Sequence, residues 1–174
     1  MRLPDVWGAT PAEITDRYPC DGLVPGRTES LFRAVDTTAD PPTTFRWLCQ
    51  LRVAPYSYDL IDNHGRRSPR TLTPGLDELV VGQRVMRIFT LVDFVPDREI
   101  TLRLTDRRAL RLFGDLAVTY RAAPGRLVTK LVLAARSRDY LRRRALAWGD
   151  LVMMRRQLRR LATLAESTRS SERP

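Results

Sequence analysis

The sequence predicts an α+β fold in which an antiparallel sheet faces one long C-terminal helix. Two observations carry this. Four strand-like runs, residues 84–94, 99–104, 113–122 and 126–135, follow one another with short connections. Strands in such succession form an antiparallel meander. Residues 139–166 then contain no proline and only Gly149, with helical periodicity throughout. A helix of that length spans roughly 40 Å.

The elements follow in order. Thr10-Pro11-Ala12-Glu13 is a helix start: Thr10 can cap, proline suits the first turn, and Glu13 completes a capping box. Tyr18-Pro19 keeps that helix short. Trp7, Ile14 and Tyr18 are expected to pack this extension, residues 1–28, onto the main domain, residues 29–166. Residues 29–38 read as a strand. Asp40 then caps a helix with Pro41 at its first position and Phe45, Leu48 and Leu51 on one face, ending near Val53 ahead of Pro55. Residues 56–70 mix aromatic, acidic and basic side chains around the turn signal Asn63-His64-Gly65, and residues 72–82 read as loop. Residues 84–94 read as one long strand with Val85, Phe89 and Leu91 on one face and Met86, Ile88, Val92 and Phe94 on the other. Pro96-Asp97-Arg98 turns into the strictly alternating run of Ile100, Leu102 and Leu104, a basic loop follows, and Pro124-Gly125 makes the last hairpin. On the long helix, Leu141, Ala145, Trp148 and Val152, then Leu151, Met154, Leu158 and Leu161, form a broad apolar stripe. Residues 167–174 are a polar, frayed tail.

Composition narrows the class. The 174 residues, 43% apolar and 29% charged, fit one globular domain with a sizeable core. No apolar run resembles a signal sequence or a membrane span, so a cytoplasmic protein without a transmembrane segment is expected. Cys20 and Cys49 match neither a disulfide framework nor a zinc spacing and read as reduced, half-buried thiols. The net charge is +10, and only Lys130 among the 30 basic residues is lysine. That skew reflects either GC-rich codon usage or an anionic partner.

Residues 33–48, Arg-Ala-Val-Asp-Thr-Thr-Ala-Asp-Pro-Pro-Thr-Thr-Phe-Arg-Trp-Leu, resemble the opening of the START-like superfamily, the polyketide cyclase/dehydrase and lipid transport group. There a strand runs through an alanine-proline-proline turn into a helix with aromatic residues; here Asp40 replaces one small residue. The resemblance extends in pattern over about residues 29–166. It implies a helix-grip fold, a curved sheet wrapped around the long helix, and a cavity that carries or transforms lipids, polyketides or similar molecules. It carries over no catalytic residue.

The candidate site residues come from chemistry. Tyr56, Tyr58, Arg66, Arg67 and Arg70 could line a cavity mouth, where guanidinium groups can grip a carboxylate, phosphate or carbonyl; an internal Asp–Arg network is the competing reading. Met86, Ile88, Trp148, Val152 and Met153 supply adaptable apolar walls, although a stripe at helical spacing is also plain core. Tyr58, Asp59 and Asp150 are the candidate proton-transfer groups for a cyclase or dehydratase acting on a hydrophobic carbonyl compound. His64, the only histidine, reads as a solvated turn residue rather than a catalytic base or ligand. No metal or cofactor is expected. Arg155, Arg156, Arg159 and Arg160 share one helix face, either solvated or docking an acidic partner; no nucleic-acid motif accompanies them, so no specific nucleic acid is expected.

Overall fold

A computed structural model describes residues 3–57, 67–135 and 140–171. Seven strands form one sheet: β1 (Val6–Trp7), β2 (Thr28–Asp36), β3 (Arg84–Val85), β4 (Phe89–Val95), β5 (Glu99–Leu104), β6 (Leu116–Ala123) and β7 (Arg126–Ala134). Their spatial order is β1-β2-β7-β6-β5-β4-β3, antiparallel except where β1 joins β2. The helices are α1 (Pro11–Thr15), α2 (Pro41–Cys49, continued by a 3-10 turn over Gln50–Arg52), α3 (Arg107–Phe113) and α4 (Tyr140–Ser171).

The local signals act as their chemistry dictates. Thr10 and Glu13 form the reciprocal capping box of α1, and Asp40 accepts the Thr43 N–H at the start of α2. In β2, Leu31 and Arg33 point to the concave face and Phe32 and Ala34 to the convex face, as the period of two requires. The concave side carries the main core: Trp47, Leu48 and Leu51 of α2 meet Leu102, Leu127 and, from α4, Leu158 and Leu161.

The convex side is covered by the chain between α1 and β2. Tyr18, Cys20 and Val24 bury Phe32, Ala117, Val128 and Val132. Polar anchors fix that cover. Arg121 donates to Glu99 at 2.6 Å and to Asp16 at 2.5 Å while lying 4.2 Å over the Tyr18 ring, and Lys130 pairs with Asp21 at 2.6 Å. Gly8 links β1 to α1 at φ +74°, and a β-carbon added there would overlap the Ala34 carbonyl oxygen. A methyl there has neither room nor a relaxed backbone. Gly8→Ala is therefore expected to cost more than about 1 kcal/mol, seen as a lower urea midpoint at constant m-value.

Four elements differ from the sequence expectation, the first being residues 167–171, which continue α4 instead of fraying, with Thr168 held by the Trp47 indole. The run over residues 84–94 is a hairpin. Met86 and Arg87 take positive φ (47° and 65°), and Val85 pairs back onto Phe89. The Met86 N–H is held by the Leu51 carbonyl at 3.0 Å, so a contact distant in sequence turns the chain. The basic loop before β6 contains α3, capped by Asp106 and ended by Gly114 at φ 82°. Finally, the apolar stripe of α4 divides: Leu151, Met154, Leu158 and Leu161 are buried, whereas Leu141, Trp148 and Val152 face solvent.

Candidate functional site

The C-terminal half of α4 is packed tight. Leu158, Leu161 and Ala165 are fully buried, Trp47 donates its indole N–H to Thr168, and Glu166 accepts the Thr38 N–H. The N-terminal half presents Ala147, Gly149 and Asp150 to the same concave sheet, and such small side chains leave the gap unfilled. The result is a cavity of about 1330 Å³. Leu116, Val118, Leu131 and Leu133 form its sheet wall, and Ala147, Met153 and Met154 its helix wall. The Met86–Phe89 turn and the end of α3, Leu112 and Phe113, line it as well.

Ion pairs fasten the start of α4 beside the cavity. Arg143 meets Glu29 of β2 at 2.6 Å, and Arg144 meets Asp5 at 3.4 Å. The lining also includes charged side chains, Arg84, Arg87, Arg143 and Arg144 among them, and two polar groups there are hydrogen-bonded between sheet and helix. One is Asp150, which accepts from Arg33 at 2.9 Å. Arg33 is fully buried between β2 and α4 and spends its other terminal N–H groups on the carbonyls of Asp5, Phe32 and Ala147. Burial pushes the Asp150 carboxyl up to about 6, with Arg33 holding it from rising further. Burial likewise pulls Arg33 below the usual guanidinium range, opposed by Asp150. The second is Tyr120, whose hydroxyl donates to Gln157 Oε1 at 2.8 Å, while Gln157 Nε2 donates to the Pro55 carbonyl at 2.5 Å. Burial raises the Tyr120 hydroxyl well above the usual phenol range, so it stays neutral.

Among the candidates read from sequence, Met86, Ile88, Met153 and Asp150 line this cavity. Trp148 and Val152 lie on the opposite, solvent face of α4, 46% and 51% exposed. Tyr56 is fully buried, edge-on to Trp47 with ring centres 6.0 Å apart, and does not line the cavity. Arg67 and Arg70 border a separate pocket of about 410 Å³ with Arg156 and Arg160 of α4. Tyr58, Asp59, His64 and Arg66 lie outside the described residues. The four α4 arginines do not act as one face: Arg155 and Arg159 cover the Trp7 ring at 5.5 and 5.4 Å, and Arg160 lies 5.8 Å over Tyr56. Sequence reasoning missed Arg33, Tyr120 and Gln157. A charge at the inward phase of β2 was the available signal for Arg33, since a buried cation needs a partner. Among the described residues no cluster of histidine, cysteine and carboxylate side chains could hold a metal, and no helix is long and apolar enough to cross a membrane.

No protein-family profile matches the sequence, and no curated protein does. Solved structures do. A protein of Mesorhizobium loti aligns over 80% of this chain and 98% of its own, with a TM-score of 0.51 and 12% identity. The di-domain ARO/CYC StfQ from the steffimycin biosynthetic pathway aligns over 82% of this chain, at a TM-score of 0.50 and 11% identity. The chain shares the helix-grip fold of these structures, an antiparallel sheet against one long C-terminal helix. This chain spans 52% of StfQ, about one of its two domains. A Chromobacterium violaceum protein shares this fold over 79% of this chain, at 15% identity and a TM-score of 0.50. At such identities the shared property is the fold itself, and the chemistry must be argued from this chain's own cavity.

Proposed function

We propose that the protein binds a hydrophobic small molecule in the cavity between the sheet and the N-terminal half of α4. The observation that supports this is the cavity's size and lining: about 1330 Å³, with mostly apolar walls and polar groups set among them. Ligand sites of this kind are concave, largely apolar and oriented by a few polar groups. The test is native mass spectrometry of freshly purified protein, followed by titration of solvent-extracted protein with anilinonaphthalene sulfonate. One equivalent of bound apolar molecule, or saturable dye binding in its place, is expected. A protein that carries nothing and gives no saturable dye signal refutes the reading.

A second reading, a cyclase-type enzyme acting on a hydrophobic carbonyl compound, draws on Asp150. A carboxyl held near 6 at an apolar cavity wall can take up and return a proton close to neutral pH. The START-like fold shared with an ARO/CYC domain is consistent with it. Chemical change in the extracted molecule on incubation with the protein separates an enzyme from a carrier.

A further inference from the structure

The hydrogen bonds at the buried end of the cavity have a fixed direction, and that direction bears on what the cavity takes. The Pro55 carbonyl can only accept, so the Gln157 atom 2.5 Å from it is the amide nitrogen. Its second hydrogen faces the Met86 sulfur at 3.6 Å. Gln157 Oε1 is thereby turned to Tyr120, and as an amide oxygen it can only accept. Tyr120 must be the donor at 2.8 Å, which uses its one hydrogen. Its oxygen retains lone pairs, and the Tyr120 side chain lines the cavity. Further along the cavity Asp150 accepts from Arg33 and, when ionised, offers only acceptor oxygens. Of the arginines that also line the cavity, Arg143 and Arg144 are paired with Glu29 and Asp5, and Arg84 and Arg87 lie at its exposed edge. The Arg33 Nε–H finds no acceptor among the described residues, but that side chain is fully buried and does not line the cavity. Ser57 is buried in the same wall; its hydroxyl serves as donor or acceptor and sets no preference.

We propose that the buried end of the cavity selects a hydrophobic molecule bearing a hydrogen-bond donor, a hydroxyl or N–H group, over one that presents only acceptors such as a ketone or an ether. The proposal rests on the reading of the cavity as a ligand site. A donor placed against the Tyr120 oxygen is satisfied. An ether or ketone oxygen in the same place meets lone pairs, and a buried acceptor without a donor is rejected more strongly than a change of size in an apolar wall. Gln157, which holds Tyr120, and Asp150 lie seven residues apart on α4, roughly 10 Å along the helix axis, so a ligand with two donors at about that spacing engages the Tyr120 oxygen and the Asp150 carboxylate.

The test compares naphthol with its methyl ether by isothermal titration of the solvent-extracted protein. Naphthol is expected to bind about tenfold more tightly. Gln157→Met keeps a side chain of similar length and removes the acceptor that holds the Tyr120 hydrogen. The hydroxyl then has only the Met154 thioether at 3.7 Å, a weak acceptor, and becomes free to donate to a ligand. In that variant the preference is expected to collapse or reverse toward the ether, which loosened packing alone does not produce. Equal affinities in the unsubstituted protein, tighter binding of the ether, or an unchanged ratio in Gln157→Met each overturn the proposal. If neither probe nor anilinonaphthalene sulfonate binds, the cavity reading falls and takes the proposal with it.

Discussion

Arg33→Met is expected to lower stability by about 3–5 kcal/mol at pH 8. Arg33 is a fully buried cation on an inward position of β2, and its partner Asp150 reaches it from α4 at 2.9 Å. Removing the guanidinium leaves a carboxylate at an apolar wall and strips hydrogen bonds from the Asp5, Phe32 and Ala147 carbonyls. The loss should depend on pH. The folded-state value of Asp150 is raised, from 3.8 to about 6. For such a group the folded protein holds the proton more readily, so its contribution to stability is fully present below 3.8 and lost as pH rises through about 6. Without Arg33 the carboxyl rises further, so the same loss becomes larger above pH 6 and changes little near pH 5. Urea unfolding at pH 5 and pH 8 reads this directly: the gap between variant and parent widens with pH. Arg33→Met combined with Asp150→Leu removes both charges and is expected to recover much of the stability, because an apolar replacement of a buried pair is often neutral. A deficit equal at both pH values and unrelieved by the second change would assign the cost to the backbone carbonyls.

The fold was readable where one short segment carries its own chemistry. The capping box at Thr10 and the Asp40-Pro41 helix start need only neighbouring residues, and the length of α4 needs only the absence of proline. The hairpin at Met86 was not readable, because apolar alternation runs straight through the residues where the chain reverses. What reverses it is a hydrogen bond from Met86 to Leu51, across an intervening loop. In α3 the arginines at positions 107, 108 and 111 hide a helix whose cap, Asp106, and stop, Gly114, were present. The site divides in the same way. Asp150 stands out as an acid in an apolar run. Tyr120 and Gln157 look ordinary on their own elements, and only the docking of α4 over β6 brings them to 2.8 Å. The cavity arises from what α4 lacks: Ala147 and Gly149 fit a helix pattern as well as larger residues would, and their smallness matters only against a curved sheet.

The two faces of α4 give the last expectation its force. Leu133 lines the cavity from β7, where it opposes Leu116 of β6, and Met153 lines it from α4. Replacing both by tryptophan projects two indoles into the cavity from opposite walls. The space is not already packed, so the overpacking cost of about 1–3 kcal/mol met in a filled core should be largely avoided, and the melting temperature should change little. Affinity for anilinonaphthalene sulfonate should nevertheless fall by more than about tenfold, because a ligand must displace side chains that now occupy its volume. Trp148→Ala with Val152→Ser is the counterpart on the solvent face. Both side chains are large and apolar, and both were attractive ligand contacts when only helical spacing was known. Both are half-exposed and sit roughly 100–160° around the helix from the lining residues Ala147 and Asp150. That pair of changes should leave dye affinity within about twofold, since a contact that touches no ligand contributes no binding energy. A loss confined to the Trp148/Val152 variant, with the double tryptophan binding as before, would move the ligand out of the cavity and onto the exposed face of α4.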